Sequence, residues 1–246
     1  MENEINEVIV SKFAEDDLNE IVEYFFLLSL WKCFYVKLYR TTVGQAHCGT
    51  TNCYGDRCTD LLSWEEKMNA LIINCSPVKN GATAEIVKIA NDCIKQKYDT
   101  TTVCIDDYKF NFCKGCRTCH STAKCIQHDD FDSLIKEFEK ADIIISVAPS
   151  YWADVPGQFK AFIDRCTPWC NTHEPHASLS KGKKGYSIVL RTGPNMKECE
   201  RLISTIEHFY GHMEIESVDR IGFCSIEFKE AVSGIEKEII EFCKKI

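Results

Sequence analysis

From Met68 to the C-terminus, short and wholly apolar runs alternate with stretches of helical spacing. Ala70-Leu-Ile-Ile-Asn74 is too short for a buried helix and has the character of a parallel strand covered on both faces. A turn-rich loop from Cys75 to Thr83 follows. Next comes a helix through Gln96, with Ile86, Ile89, Ala90 and Cys93 on one face. Thr100 to Ile105, rich in β-branched residues, predicts a second strand. Phe131, Leu134, Ile135 and Phe138 then mark a helix over 131–140, and Asp142–Val147 a third strand. Pro156 suits the first turn of another helix, which carries Phe159, Phe162 and Ile163. The remaining pattern gives a strand over 185–190, a helix over 196–209, a strand over 214–221 and a closing helix from Phe228. Five strands alternating with helices predict a doubly wound parallel sheet.

Residues 1–67 break this rhythm. Glu7-Val-Ile-Val-Ser11 reads as a short strand, and Ala14–Leu28 as a helix with Leu18, Ile21, Val22 and Phe25 on one face. The segment Ala14-Glu-Asp-Asp-Leu-Asn-Glu-Ile-Val-Glu-Tyr24 resembles the opening of the plasmid-stabilisation toxins, whose later strands and basic catalytic residues do not follow. Phe25 to Tyr39 is too apolar for a disordered tail, whereas Val43 to Cys58, rich in Gly, Thr and Cys, reads as loop. Cys48, Cys53 and Cys58 have four residues between neighbours, which is not a metal-ligand spacing, and they are expected to be scattered thiols along with Cys33. The chain is therefore expected to divide into a separate, mainly helical or loosely packed extension, 1–67, and a functional domain, 68–246.

Composition narrows the setting. A net charge of −8 argues against nucleic acid or an anionic membrane as the main partner. The longest apolar run, Tyr24 to Leu30, is too short to span a bilayer. The first residues are acidic rather than basic and apolar, so no signal peptide is expected. Sixteen cysteines in such a chain read as thiols and metal ligands in a reducing, cytoplasmic compartment rather than as a disulfide framework.

The densest chemistry lies between Phe112 and Asp130. Cys113, Cys116, Cys119 and Cys125 are separated by two, two and five residues. Such spacing lets four thiolates converge on one centre, either a [4Fe–4S] cluster or, less comfortably, a tetrahedral zinc. Zinc sites commonly draw on two separated ligand pairs, which favours the cluster. Lys114, Arg117 and Lys124 would offset the negative charge. The bland alternative is a run of free thiols.

Ligands of a doubly wound sheet bind at the carboxyl ends of its strands. After the first strand, Ser76 and Thr83 offer hydroxyls, Asn80 an amide and Gly81 a close-approaching backbone, at the start of a helix whose free N–H groups favour an anion. Lys79 and Ala82 complete this loop. Pro-x-x-Asn-Gly is also a plain turn, but the exit of the third strand adds Pro149, Ser150, Tyr151 and Trp152, aromatic residues suited to a planar ring. Together the two loops predict a mononucleotide site.

Five stretches carry a family resemblance: Asn74-Cys-Ser-Pro-Val-Lys-Asn-Gly-Ala-Thr83, the four-cysteine pattern, Asp129-Asp130, Ala148-Pro-Ser-Tyr-Trp152, and Lys160-Ala-Phe-Ile-Asp-Arg165. In this order they resemble the iron-sulfur flavoproteins of the flavodoxin-like NAD(P)H-dependent FMN reductase superfamily, from about Met68 onward. The resemblance implies FMN with its phosphate on the Ser76–Thr83 loop and its ring against Pro149–Trp152, with Thr192 and Gly193 closing the third side. It also implies a [4Fe–4S] cluster on the four cysteines, and a homodimer or homotetramer in which cluster and flavin exchange electrons across a subunit boundary. Ferredoxin or NAD(P)H is the implied redox partner, with a small-molecule or protein acceptor. Cys75 stands where the family usually has Gly, and Val78 where it often has Arg, so phosphate contacts would lean on backbone N–H groups.

Two other functions fit some of these features. In one, the chain is an NAD(P)H-dependent reductase of FMN, quinones or nitro compounds and the cysteine loop is structural. In the other, it is a non-catalytic zinc-stabilised interaction module. Thiol catalysis by Cys119 with His120, or by Cys166 and Cys170 with His173 and His176, would need a geometry that neighbouring loop positions rarely supply. Cys166-Thr-Pro-Trp-Cys170 is one residue too long for a Cys-x-x-Cys redox motif. Asp164-Arg165 reads as a helix-end ion pair, and no acid–base residue is assigned.

Overall fold

The computed structural model describes residues 67–246. The strand, helix and thiols expected upstream lie outside the described residues. The described chain runs β1 (Asn69–Asn74), α1 (Ala82–Ile94), β2 (Asp99–Cys104), the four-residue α2 (Cys119–Thr122), α3 (Phe131–Lys140), β3 (Ile143–Pro149), α4 (Gly157–Arg165), β4 (Lys184–Leu190), α5 (Met196–His212), β5 (Glu216–Phe223) and α6 (Glu236–Cys243). The five strands form one sheet in the order β2-β1-β3-β4-β5, every neighbouring pair parallel. This is the flavodoxin-like doubly wound fold, with its reversal of strand order at β1 and β3.

Alternation along the strands sends apolar side chains to two separate layers. Leu71, Ile73, Ile144, Ala148 and Val189 pack with α3, α4 and α5, through Phe131, Phe138, Phe159, Phe162, Leu202 and Phe209. Ala70, Ile72, Ile143, Ile145, Val147 and Ile188 pack on the other face against Ile86, Ala90 and Ile94 of α1 and Ile239 and Phe242 of α6. On α1 the buried line runs through Ile86, Val87, Ala90 and Ile94, while Ile89 and Cys93 flank it half-buried. β2 is one of the two edge strands, and its Thr101 and Thr102 are exposed.

Two hydroxyls inside the first layer are paired. Tyr210 hydroxyl lies 2.7 Å from Ser146 Oγ and donates to Tyr186 O at 3.2 Å. Gly185 faces the same ring, and a Cβ there would come within 2.5 Å of it, so β4 can pass Tyr210 only as glycine. At the carboxyl edge, Cys75 N donates to Val147 O at 2.9 Å, Ser150 N to Leu190 O at 2.8 Å and Arg191 N to Phe223 O at 3.0 Å. These bonds carry the pairing of β1, β3, β4 and β5 one residue beyond each strand and fix where the loops depart.

Candidate flavin pocket and cysteine centre

The exits of β1, β3 and β4 surround a pocket of about 410 Å³, within the range of small-molecule sites. Ser76, Gly81, Ala82, Thr83, Pro149, Ser150, Tyr151, Trp152 and Thr192 line it, as the sequence leads one to expect. Val78, Leu190, Arg191, Ile226 and Glu227 line it as well. A larger hollow of about 570 Å³ lies between residues 105–112 and the start of α4; it touches the exit of the edge strand β2 but none of the exits of β1, β3 and β4, where the strand order reverses.

One end of the pocket suits an anion. α1 starts with Gly81 in extended backbone, no side chain caps it, and its first backbone bond is Glu85 N to Gly81 O. The preceding N–H groups and the positive end of the helix are therefore turned to the loop. Within that loop, Asn74 Oδ1 accepts from Ser76 N at 3.0 Å and Ser76 Oγ accepts from Val78 N at 3.1 Å, which shapes the turn. Both hydroxyl-bearing residues, Ser76 and Thr83, are buried. Lys79 and Asn80 do not line the pocket. Lys79 is exposed and ion-pairs with Asp107 and, at 4.0 Å, with Asp106, because β2 delivers two carboxylates beside it. Gly193 is also off the wall: its carbonyl accepts from Ser225 N at 3.1 Å, and the Arg191 side chain lies over its α-carbon, where a Cβ would meet Nη2 at 2.3 Å.

Arg191 is the cation that sequence reasoning missed. Its Nη1 reaches Glu198 Oε1 and Asn195 O, each at 2.9 Å, and Ser150 Oγ donates to Glu198 Oε2 at 3.1 Å. Its buried Nε–H has no acceptor, so the pocket wall keeps an unused donor.

The aromatic side of the pocket is a two-residue turn. Tyr151 and Asp154 bond each other's backbone at 2.8 and 3.2 Å, with Trp152 (φ 55°) and Ala153 (φ 60°) between them. Positive φ at both central positions is the type I′ pattern, normally filled by Asn and Gly. Two side-chain-bearing residues there store strain on the order of 1–3 kcal/mol each. In this turn the Trp152 side chain stands fully exposed at the pocket mouth and Tyr151 partly so. α4 begins just after this turn, behind Pro156.

α4 ends beneath the cysteine loop. Cys113, Cys116, Cys119 and Cys125, all free thiols, line one small hollow together with Lys114, Arg117 and Arg165. Hydrogen bonds from the Thr118 backbone N–H and hydroxyl hold the Cys116 thiol below its usual range, while burial pushes Cys119 up and the neighbouring sulfurs add to this. Gly115, Arg117 and Ala123 take positive φ as the loop doubles back. In a tetrahedral zinc site thiolate sulfurs would lie about 3.8 Å apart, given a Zn–S bond near 2.3 Å. Among the described residues, the ligand atoms gathered within 4.8 Å of one another are those of Cys119, His120 and His173, not the four sulfurs. The hollow, about 30 Å³, would have to spread for a cluster.

Arg165 fastens this loop. It is 1% exposed, and its guanidinium lies over the Phe131 ring at 4.7 Å. Nη1 donates to Asn111 O at 2.8 Å and Asp129 Oδ2 at 2.9 Å, and Nη2 to Asp129 Oδ1 at 3.1 Å and Gln127 O at 3.3 Å. The expected pairing of Asp164 with Arg165 does not form: Asp164 pairs with Lys160, one helical turn earlier on the exposed face. The buried Arg165 reaches a carboxylate 36 residues away instead.

A family model described as NADPH-dependent FMN reductase matches residues 68–218. An iron-sulfur flavoprotein of Archaeoglobus fulgidus is 35% identical over 132 residues, covering 53% of this chain and 58% of that protein. Another, of Methanocaldococcus jannaschii, is 33% identical over 102 residues, covering 41% and 53%. The chain spans about half the length of the curated relatives it matches. Among solved structures, an NAD(P)H:quinone oxidoreductase from Methanothermobacter marburgensis superposes with a TM-score of 0.57 at 9% identity, over 73% of this chain and 94% of that one. An FMN-dependent NADH-azoreductase from Bacillus anthracis gives 0.55 at 12% identity, over 72% and 98%. These two show the shared fold.

Proposed function

The chain belongs to the NADPH-dependent FMN reductase family, and from that premise we propose that it is an iron-sulfur flavoprotein, a flavin-dependent oxidoreductase that passes electrons between a [4Fe–4S] centre and FMN. The observation that carries this reading is that one short helix, α4, runs from a strained aromatic turn at the flavin pocket, just before its start, to an arginine anchor under four free thiols at its end. When bound, FMN supplies two-electron chemistry and the iron–sulfur centre single-electron steps. The uncapped start of α1, with Ser76 and Thr83, would hold the phosphate. Tyr151 and Trp152 would cover the ring, with Pro149, Leu190 and Ile226 as its apolar bed. Cys113, Cys116, Cys119 and Cys125 would supply the iron ligands, their charge opposed by Lys114, Arg117 and Arg165. NAD(P)H or a small redox protein is the donor class, and a low-molecular-weight or protein oxidant the acceptor.

The family's description supports a second reading, direct NAD(P)H-dependent reduction of FMN, quinones or nitro compounds with a purely structural cysteine loop. Anaerobic purification, an absorption spectrum and assays of iron, sulfide, zinc and FMN distinguish the two. The first reading expects about one FMN with four irons and four sulfides per chain, slow NAD(P)H oxidation, and loss of iron but not flavin on Cys113→Ser. Rapid NAD(P)H oxidation by a yellow, iron-free protein would establish the second, and a colourless zinc protein would exclude both.

A further inference from the structure

A four-thiolate centre has no use for His120 or His173, yet both stand beside one of its sulfurs. Cys119 Sγ and a ring nitrogen from each histidine lie within 4.8 Å of one another. The two rings stack with centroids 4.2 Å apart and 26° between their planes. They come from distant segments: His120 from α2, and His173 from the loop between α4 and β4. His173 is seated by its own carbonyl, which lies 3.0 Å from His176 Nδ1. Its Nε2 is buried and has no hydrogen-bond partner. An unsatisfied buried nitrogen of this kind is unfavourable and calls for an explanation.

A metal ion supplies one. Two imidazoles and a thiolate form a borderline-soft donor set, the kind that selects zinc. Zn–N bonds near 2.0 Å and a Zn–S bond near 2.3 Å place tetrahedral donors about 3.3 Å (N···N) and about 3.5 Å (N···S) apart. The exposed His120 can move inward toward that spacing. The four cysteine sulfurs are not gathered so closely.

We propose that Cys119, His120 and His173 form a mononuclear site for a borderline divalent metal such as zinc, with a fourth position open to solvent. Because Cys119 is also a ligand of the proposed iron–sulfur centre, the two occupancies exclude each other. The mononuclear site stands without that centre, and only the exclusion rests on the proposed function.

The test is an anaerobic titration of the full, metal-free chain with Co(II), read by its sulfur-to-metal charge-transfer and tetrahedral d–d bands. One tightly held Co(II) is expected to depend on these three residues. Loss of an outer-sphere partner already weakens metal binding by 10–100-fold, so His120→Ala, His173→Ala or Cys119→Ser should weaken it by about a hundredfold or more. A Cys113→Ser/Cys116→Ser variant should bind Co(II) as the parent does. Native circular dichroism of each variant shows that the fold is kept. Co(II) binding indifferent to both histidines, or lost in Cys113→Ser/Cys116→Ser, would overturn the proposal, as would no binding at micromolar metal. Reconstitution with iron and sulfide forms the second arm. Added Zn(II) should slow it in the parent and not in His120→Ala/His173→Ala, and equal inhibition in both would refute the exclusion. A chain that takes up Co(II) through the histidines yet never forms a cluster would sink the iron–sulfur reading alone.

Discussion

Replacing Arg165 by methionine should damage this domain more than any other exchange of a charged residue on α4. The substitution keeps most of the side-chain bulk but removes the donors to Asn111 O, Gln127 O and both oxygens of Asp129. Asp129 is left largely buried, its side chain 13% exposed, with only the Asn111 and Phe131 groups bonding it. Breaking a buried pair from one side costs about 3–5 kcal/mol. A domain of this size has about 5–15 kcal/mol in total, and each kcal/mol shifts Tm by about 2–4 °C. The expected loss is therefore roughly 6–20 °C. The assay is urea unfolding by far-ultraviolet circular dichroism on the parent, Arg165→Met, Asp129→Asn and the double variant. The double variant should lose at least about 2 kcal/mol less than the sum of the single losses, the scale of a charge-assisted hydrogen bond. A pH series adds a sign. Burial pushes the Asp129 carboxyl up, but the Arg165 hydrogen bonds and charge outweigh this and leave it below the usual range. The pair thus stabilises fully above an unfolded-state pKa near 3.9, and its contribution fades as pH falls through the lower native value. The gap between parent and Arg165→Met should narrow below about pH 4. Strict additivity, or an Arg165→Met loss under about 1 kcal/mol, would refute the reasoning.

Removing the phosphate-end hydroxyls in Ser76→Ala/Thr83→Ala should cost about 1.5–3 kcal/mol of FMN binding, or roughly tenfold to a hundredfold in Kd. Flavin fluorescence quenching measures it, and an unchanged Kd would move the phosphate elsewhere. Trp152→Gly should relieve left-handed strain and stabilise the flavin-free chain by about 1 kcal/mol while weakening FMN; a destabilised variant would show that the turn is not strained. A chain starting at Met68 should stay soluble and keep FMN, because among the described residues, 70–246 alone build two continuous apolar layers on the sheet. Precipitation or flavin loss would place residues 1–67 within the fold.

What the sequence discloses follows from how local each signal is. Ala70–Ile73 and Ile143–Val147 cannot be solvated in any arrangement, so their strands are legible, and Phe131, Leu134, Ile135 and Phe138 declare a one-sided helix. α5 continues to His212 rather than stopping at Phe209, because Tyr210 is needed as the buried partner of Ser146. Non-local electrostatics are silent. Arg165 sits next to Asp164 in the chain, yet its own helix turns the two to opposite surroundings. Lys183 looks like one of a basic run, Lys181 to Lys184, but is buried and caps α3 through Glu139 O at 2.9 Å. Lys79, a natural phosphate ligand on paper, is claimed by carboxylates that arrive with β2. The aromatic turn contains no Gly or Asn at Trp152 and Ala153, so nothing local announces its positive φ angles. His120 and His173 lie 53 positions apart in the chain, and only the packing of two loops brings them together.

Tying the cysteine loop at its ends, through Arg165 to Asn111 and Asp129, has a consequence for biogenesis. Those ends are 18 residues apart, and closing a flexible loop of that length costs about 2.6 kcal/mol in chain entropy beyond a constant. Here the folding of the body meets that cost before any metal arrives. Small zinc domains couple metal capture to folding, so that the apoprotein is unfolded. On the proposed function this chain follows the opposite order: a finished, flavin-competent body emerges first, and the proposed iron centre is installed afterwards on a waiting loop. The same order means that damage to the centre, by oxygen or by a scavenging chelator, can be repaired in place without the molecule unfolding.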